Sequence, residues 1–139
     1  MISKRKVTAS DLEWVEPLYQ SLLKPYFDAL EMPWVSENFR ISFNNGNAEI
    51  ILFDEQSIGY LNTETQQDCL YLADIAIRPD FQGQGVGTQV IRELIADAKK
   101  LKMPLRLTVL KGNRVKSLYE SLGFLTISEL KNSYLMEIQ

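Results

Sequence analysis

At 139 residues, with 45% apolar and 24% charged residues and a net charge of −3, the chain has the size and composition of one folded domain, 1–139, with a single core. One cysteine and no histidine exclude an internal disulfide, most zinc sites, serine–histidine triads and cysteine–histidine pairs. The mild acidity and scattered basic residues argue against nucleic-acid or anionic-membrane partners. No apolar run nears the roughly 20 residues that span a bilayer, and the start, Met1-Ile2-Ser3-Lys4-Arg5-Lys6, lacks a secretory apolar stretch, so a cytoplasmic location is expected.

Lys4-Arg5-Lys6 is the densest basic group, short and running into a first strand, and reads as a solvated terminus. Thr8 with Asp11 resembles a capping box that opens a helix through Leu12, Val15, Leu18, Tyr19, Leu22 and Leu23. Pro17 falls in its first turns, and Pro25 is expected to end or bend it. Beyond Pro33 a second helix is expected over roughly Ser36 to Asn44, with Phe39 and Phe43 on one face. The period then turns extended. Ala48 to Phe53 and Ser57 to Thr65 read as strands joined by Asp54-Glu55-Gln56, and Cys69 to Ile77 follows the polar turn Gln66-Gln67-Asp68, giving an antiparallel meander. Val86, Val90, Ile91, Leu94, Ile95, Ala98 and Leu101 mark the buried stripe of a helix ending near Lys102. Pro104 precedes a strand, Leu105 to Leu110; a helix from Asn113 to Leu122, a strand from Phe124 and a last strand from Tyr134 to Ile138 complete the chain.

The run Gln82-Gly83-Gln84-Gly85-Val86-Gly87-Thr88 joins an apolar strand to an amphipathic helix almost without side chains. Glycine allows the close approach of a ligand to main-chain amides, and a helix's first-turn N–H groups with its dipole favour an anion, so a diphosphate-bearing ligand is expected there. It is not a P-loop, since Gly87 is followed by Thr88 and Gln89 and not by Lys-Ser/Thr. Nor does it keep the dinucleotide spacing, because Thr88 falls where the last glycine belongs and Lys111 stands where an acid is needed.

With the preceding Ile75-Ala76-Ile77-Arg78-Pro79, the run resembles the acetyl-CoA loop of the GCN5-related N-acetyltransferases: Arg or Gln, two residues, Gly, one residue, Gly or Ala. A second block, Asn113 leading to Leu118-Tyr119-Glu120-Ser121-Leu122-Gly123-Phe124, resembles the family's asparagine, tyrosine, Gly-Phe pattern, and the two together are far more specific than either alone. The resemblance, firm from Leu70 to Phe124, implies a mixed α/β fold whose largely antiparallel twisted sheet, flanked by helices, is splayed in the middle. Acetyl-CoA is expected to enter the split between the Cys69–Ile77 and Leu105–Leu110 strands. It implies that the stretch from Gln82 through Gly83, Gln84, Gly85, Val86 and Gly87 to Thr88 binds the pyrophosphate, that main chain around Ala76 and Ile77 aligns the pantetheine arm, that the Ile75 N–H steadies the oxyanion, and that Asn113 belongs to the cofactor site. Tyr119 would protonate the departing thiolate during direct attack by a primary amine.

Read without the resemblance, Tyr119 is a core aromatic beside Leu118, Leu122 and Phe124, and Asn113 caps its helix. Asp74 is the one carboxylate in a nearly all-apolar strand. It is either a structural acceptor or the cleft group that holds the amine or takes its proton. Glu31, Glu37, Glu49 and Glu64 are further candidates for that role. Cys69 reads as a small buried residue, and the aromatic bias of Trp14, Tyr19, Tyr26, Phe27, Trp34, Phe39 and Phe43 is core that, by resemblance, also lines the acceptor pocket. The expected partner is a small-molecule or peptide amine, and a homodimer is an open option. The competing readings are an acetyl-CoA-binding sensor without catalysis and a nucleotide-binding interaction module.

Overall fold

The computed structural model describes residues 1–139. Seven strands form one sheet in the order β1-β2-β3-β4-β5-β7-β6: β1 Ile2–Lys6, β2 Glu49–Phe53, β3 Gln56–Thr65, β4 Leu70–Ile77, β5 Leu105–Leu110, β6 Leu125–Glu129 and β7 Ser133–Ile138. The helices are α1 Leu12–Ala29, α2 Ser36–Phe43, α3 Val86–Lys100 and α4 Val115–Ser121, and none is long and apolar enough to cross a membrane. Every strand pair is antiparallel except β4 with β5. That pair holds only over Leu70–Leu72 and Leu105–Leu107, after which the two strands part. The expected split lies where the resemblance put it.

Two apolar clusters, one on each face of the sheet, hold the helices. α3 and α4 cover the larger through Val86, Val90, Ile91, Leu94, Ala98 and Tyr119, packed on Leu61, Leu70, Leu72, Leu105, Leu107 and Val109. α1 and α2 cover the smaller through Val15, Phe39 and Phe43 on Ile50, Tyr60 and Ala76. Within β4, a bulge shifts the register between Asn62↔Asp74 and Thr63↔Leu72, leaving Ala73 as the extra residue. Leu70 and Leu72 face the larger cluster before the bulge, and Ile75 and Ile77 face it after. The bulge therefore turns Asp74, which strict alternation would place with Leu72, to the α1/α2 face beside Ala76.

Helix α1 does not end at Pro25: it runs through both Pro17 and Pro25 to Ala29. A proline inside a helix costs roughly 3 kcal/mol. Past Pro25, the continued helix keeps Phe27 edge-on to Trp34 at 4.9 Å, and Trp34 in turn lies 5.9 Å from Tyr19, so aromatic packing on both sides of the proline offsets that cost.

The start of α1 is tied to the end of β4 through Asp11, which is almost fully buried. Its carboxylate accepts from Arg5 at 2.8 and 3.0 Å, from the Thr8 N–H at 2.8 Å and from Trp14 Nε1 at 3.0 Å. The Arg78 guanidinium lies 4.4 Å over the Trp14 ring and donates to the Ser57 carbonyl at 3.0 Å. The Arg5 bonds hold Asp11 well below the usual carboxylate range. A depressed folded value contributes stability that is present above the unfolded value and lost as pH falls through the folded one. Asp11→Ala is therefore expected to cost about 2–3 kcal/mol near neutral pH, with the gap from wild type closing below about pH 4. Urea unfolding at a series of pH values measures both.

Candidate active site

The parted strands enclose one cleft of about 750 Å³ that reaches both faces of the sheet. It brings together Asp74, Ile75, Ala76 and Ile77 of β4, Gln82, Gly83, Gly85, Gly87 and Thr88 of the glycine turn, and Asn113 and Tyr119 from the α4 region. Gln84 and Val86 do not line it. The Gln84 side chain donates to the Asp80 carbonyl at 2.9 Å, and Val86 is buried in the core. Glu31, Glu37, Glu49 and Glu64 also lie off the lining, as do Trp14, Trp34, Phe39 and Phe43. From the aromatic set, Tyr19, Tyr26 and Phe27 do line it.

Why the turn offers an anion site follows from its backbone. Gly83 and Gly85 have φ of 75° and 84°, conformations that strain any residue with a Cβ, and Gly85 caps α3. The first intrahelical bond is from the Gln89 N–H to the Gly85 carbonyl, 3.0 Å, so the N–H groups from Gly83 to Thr88 have no main-chain acceptor. Gln82 is different: its N–H is spent on the Pro79 carbonyl and its side-chain amide donates to the Ile77 carbonyl at 2.9 Å. Gln82 thus braces the turn against β4, and the free donors begin one residue later than the sequence suggests. No Lys or Arg lines the cleft, so its unpaired amides and the helix dipole are the groups there that favour an anion.

The split also frees β4 backbone. The Arg78 N–H bonds the Ile58 carbonyl of β3 at 2.8 Å, and Tyr60 stands opposite Ala76, so by antiparallel alternation Ile75 and Ile77 direct their N–H and C=O groups to the other edge. β5 has already left that edge.

Tyr119 is placed by the way α4 stops. Gly123, at φ 106°, sends its N–H to the Glu120 carbonyl at 3.0 Å while Phe124 donates to the Tyr119 carbonyl at 3.0 Å, a Schellman stop whose buried Phe124 ring lies 5.7 Å from the Tyr119 ring. The Gly-Phe pattern is the device that fixes this tyrosine. Its ring is buried, and burial pushes the phenol up to about 12. Asn113 Oδ1 accepts from the Val115 N–H at 3.0 Å, so the capping role is real at the same residue that lines the cleft.

On the opposite face the half-buried Asp74 accepts from Ser42 Oγ at 2.8 Å, and Ser42 in turn accepts from Asn62 Nδ2 at 2.8 Å on Oγ and 2.7 Å on its carbonyl. Burial raises Asp74 above its ordinary value, opposed by the nearby Tyr19 phenol and by the hydrogen bond from Ser42. Tyr19 is pushed well up by its own burial and then by the charge of Asp74. Ser42 carries no signature in a sequence reading; for Asn62, which the fold buries fully, the available clue was a lone amide directly after Tyr60 and Leu61 in a strand run. Cys69 is buried, its thiol raised by burial, with Sγ 3.3 Å from Gln66 Oε1, as expected of a packing residue. No group of acidic residues and cysteine here could hold a metal ion.

The family model described as acetyltransferase (GNAT) family matches residues 15–124. The chain belongs to the GNAT family. Among curated GNAT relatives, the [ribosomal protein bS18]-alanine N-acetyltransferase of Haemophilus influenzae is 35% identical over 85 residues, 60% of this chain and 58% of that protein. The thialysine N-ε-acetyltransferase of Bos taurus is 39% identical over 62 residues, 43% of this chain and 36% of that one. The chain thus matches little more than half the length of one and about a third of the other. Solved structures repeat the GNAT fold across the whole chain. PaiA N-acetyltransferase from Thermoplasma acidophilum in complex with coenzyme A superposes with a TM-score of 0.77 at 19% identity, covering 100% of this chain and 99% of its own. The Escherichia coli ribosomal-protein-S18-alanine N-acetyltransferase gives 0.73 at 21%, covering 99% and 93%.

Proposed function

We propose that this GNAT protein transfers the acetyl group of acetyl-CoA to a primary amine by direct attack in a ternary complex. The observation that carries the reading is the single cleft in which the free amides from Gly83 to Thr88, the released backbone of Ile75 and Ile77, and the side chains of Tyr119 and Asp74 all meet. The names of the matched relatives, which acetylate an alanine of bS18 and thialysine, and the coenzyme A held by a structural neighbour, support it.

In this reading the turn amides hold the pyrophosphate, Asn113 lies along the cofactor, and the backbone of Ile77 aligns the pantetheine arm, while Ala76, whose N–H and C=O face Tyr60 of β3, makes no main-chain contact with it. The Ile75 N–H would receive the thioester oxygen as negative charge grows on it. The acetyl donor supplies an activated carbonyl and a thiolate leaving group. The amine arrives as an ammonium and gives one proton to Asp74, directly or through one water; the neutral nitrogen then bonds to the acyl carbon as the C–S bond breaks, and its remaining surplus proton leaves to water, balancing the proton taken up by the departing thiolate. A phenol near 12 facing a thiolate of ordinary pKa about 8.5 gives up its proton less readily than it donates a hydrogen bond, so the chief service of Tyr119 is to stabilise the departing sulfur, which is protonated by the phenol or by water.

The test is release of free thiol from acetyl-CoA with a panel of amines. Release with one amine class is expected, and silence throughout, with acetyl-CoA still bound, would leave a sensor.

Asp74→Asn separates the proton acceptor from the fold. Its turnover is expected to fall about a hundredfold with CoA affinity kept. Because the folded value of Asp74 lies above the unfolded one, wild type loses stability as pH rises from the unfolded value through the folded one. The variant is therefore expected to lack that slope. Differential scanning calorimetry across pH reads it.

A further inference from the structure

We propose that the acceptor taken by this cleft is a primary monoamine with an apolar, preferentially aromatic body and no carboxylate or phosphate of its own. The inference rests on the acetyl-transfer reading and narrows it to a substrate class. Of the residues that line the cleft, Asp74 alone carries a full charge. On its face of the sheet the remaining wall is Tyr19, Leu22, Leu23, Tyr26 and Phe27 of α1, with Tyr71 of β4. Tyr71 closes this compartment by donating across the split to Thr108 Oγ1 at 2.8 Å. Phe27 is fixed edge-on by Trp34, so the aromatic wall is preformed.

The cations on the elements that bound the compartment are already paired. Lys24 of α1 bonds Asp28 at 2.9 Å, Arg40 of α2 bonds Glu16 at 3.0 Å, and Arg106 of β5 bonds Glu137 at 2.6 Å and Asp68 at 3.1 Å. Glu64 adds a second negative charge near Asp74. An acceptor carboxylate would lose its water here against apolar side chains and a negative field, with no cation to meet it. A polyamine meets the converse problem, since its second and third ammonium groups would lie along Leu22, Leu23 and Phe27. An aryl or alkyl amine loses nothing: its one ammonium approaches Asp74, and its body buries against the wall.

The experiment compares kcat/KM for acetyl transfer to 2-phenylethylamine, phenylalaninamide, phenylalanine and spermidine, with CoA binding titrated calorimetrically on the same protein. 2-Phenylethylamine is expected to exceed phenylalanine by about 100-fold, and phenylalaninamide, equally bulky but without the carboxylate, to recover most of the difference. Leu23→Arg places a cation in the wall at a position outside both apolar clusters, and is expected to narrow the gap about tenfold. Phenylalanine matching 2-phenylethylamine, spermidine as the best acceptor, an unchanged gap in Leu23→Arg, or CoA binding without transfer to 2-phenylethylamine would each overturn the proposal. Failure to bind CoA would remove the acetyl-transfer reading beneath it as well, so the two failures are distinguishable.

Discussion

Tyr119→Phe is expected to lower kcat about a hundredfold while CoA affinity stays within about twofold of wild type, since one donor to a developing negative charge is worth that much. The substitution removes one oxygen from a buried ring that packs on Phe124, so the apolar fit, and with it the melting temperature, is kept. Loss of rate without loss of fold or cofactor is the signature of a group acting on the leaving sulfur. The phenol also sets the alkaline side of the rate profile. With burial holding it at about 12, kcat is expected to stay level through about pH 10, where a phenol at its ordinary value would be half ionised. A rate in the variant equal to wild type would leave Tyr119 as a core aromatic only.

Gly85→Val addresses the other end of the cleft. Gly85 sits at φ 84° with open space where a Cβ would stand, so the damage comes from backbone conformation and not from collision. A β-branched residue there costs about 1–2 kcal/mol or drags the turn out of the left-handed region, and either outcome misdirects the unpaired N–H groups ahead of α3. CoA affinity is expected to fall at least about tenfold, with kcat at saturating acetyl-CoA much less affected. Gly87→Ala makes the contrast. Gly87 lies within α3 at ordinary φ, so alanine should raise the melting temperature, yet its methyl protrudes at the cleft and should still weaken CoA binding. Titration calorimetry with CoA on both variants distinguishes conformation from bulk. Unchanged affinity in Gly85→Val would remove the turn from the cofactor site.

The sequence announced the turn, the helix behind it and the Gly-Phe stop because each depends on local backbone chemistry: positive φ, unpaired first-turn amides and a Schellman closure. The strands of the meander were legible for the same reason, through period and turn residues. Less legible was what depends on register. A period-two reading aligns Asp74 with Leu70 and Leu72, and only the bulge at Ala73 moves it to the other face, into the company of Ser42, Asn62 and Tyr19. Those partners come from α1, α2 and β3, which no spacing rule connects. Pro25 does not end α1 because its penalty is local, whereas the packing of Phe27 and Trp34 that outweighs it is tertiary. Gln82 shows a subtler gap, since its identity fits the loop pattern while its amide groups serve the turn itself.

The short β4–β5 pairing also has a mechanical consequence. The β1–β4 leaf and the β5–β7–β6 leaf are stitched edge to edge over Leu70–Leu72 and Leu105–Leu107, with the Leu70 N–H on the Pro104 carbonyl and Arg106 on Asp68 at one end and Tyr71 and Thr108 bridging at the other. A pantetheine arm lying along β4 would serve as the missing rungs between the leaves. Amide hydrogen exchange in Ala73–Ile77 and Thr108–Leu110 should therefore slow together when CoA is added, while the β1–β2 edge keeps its pace.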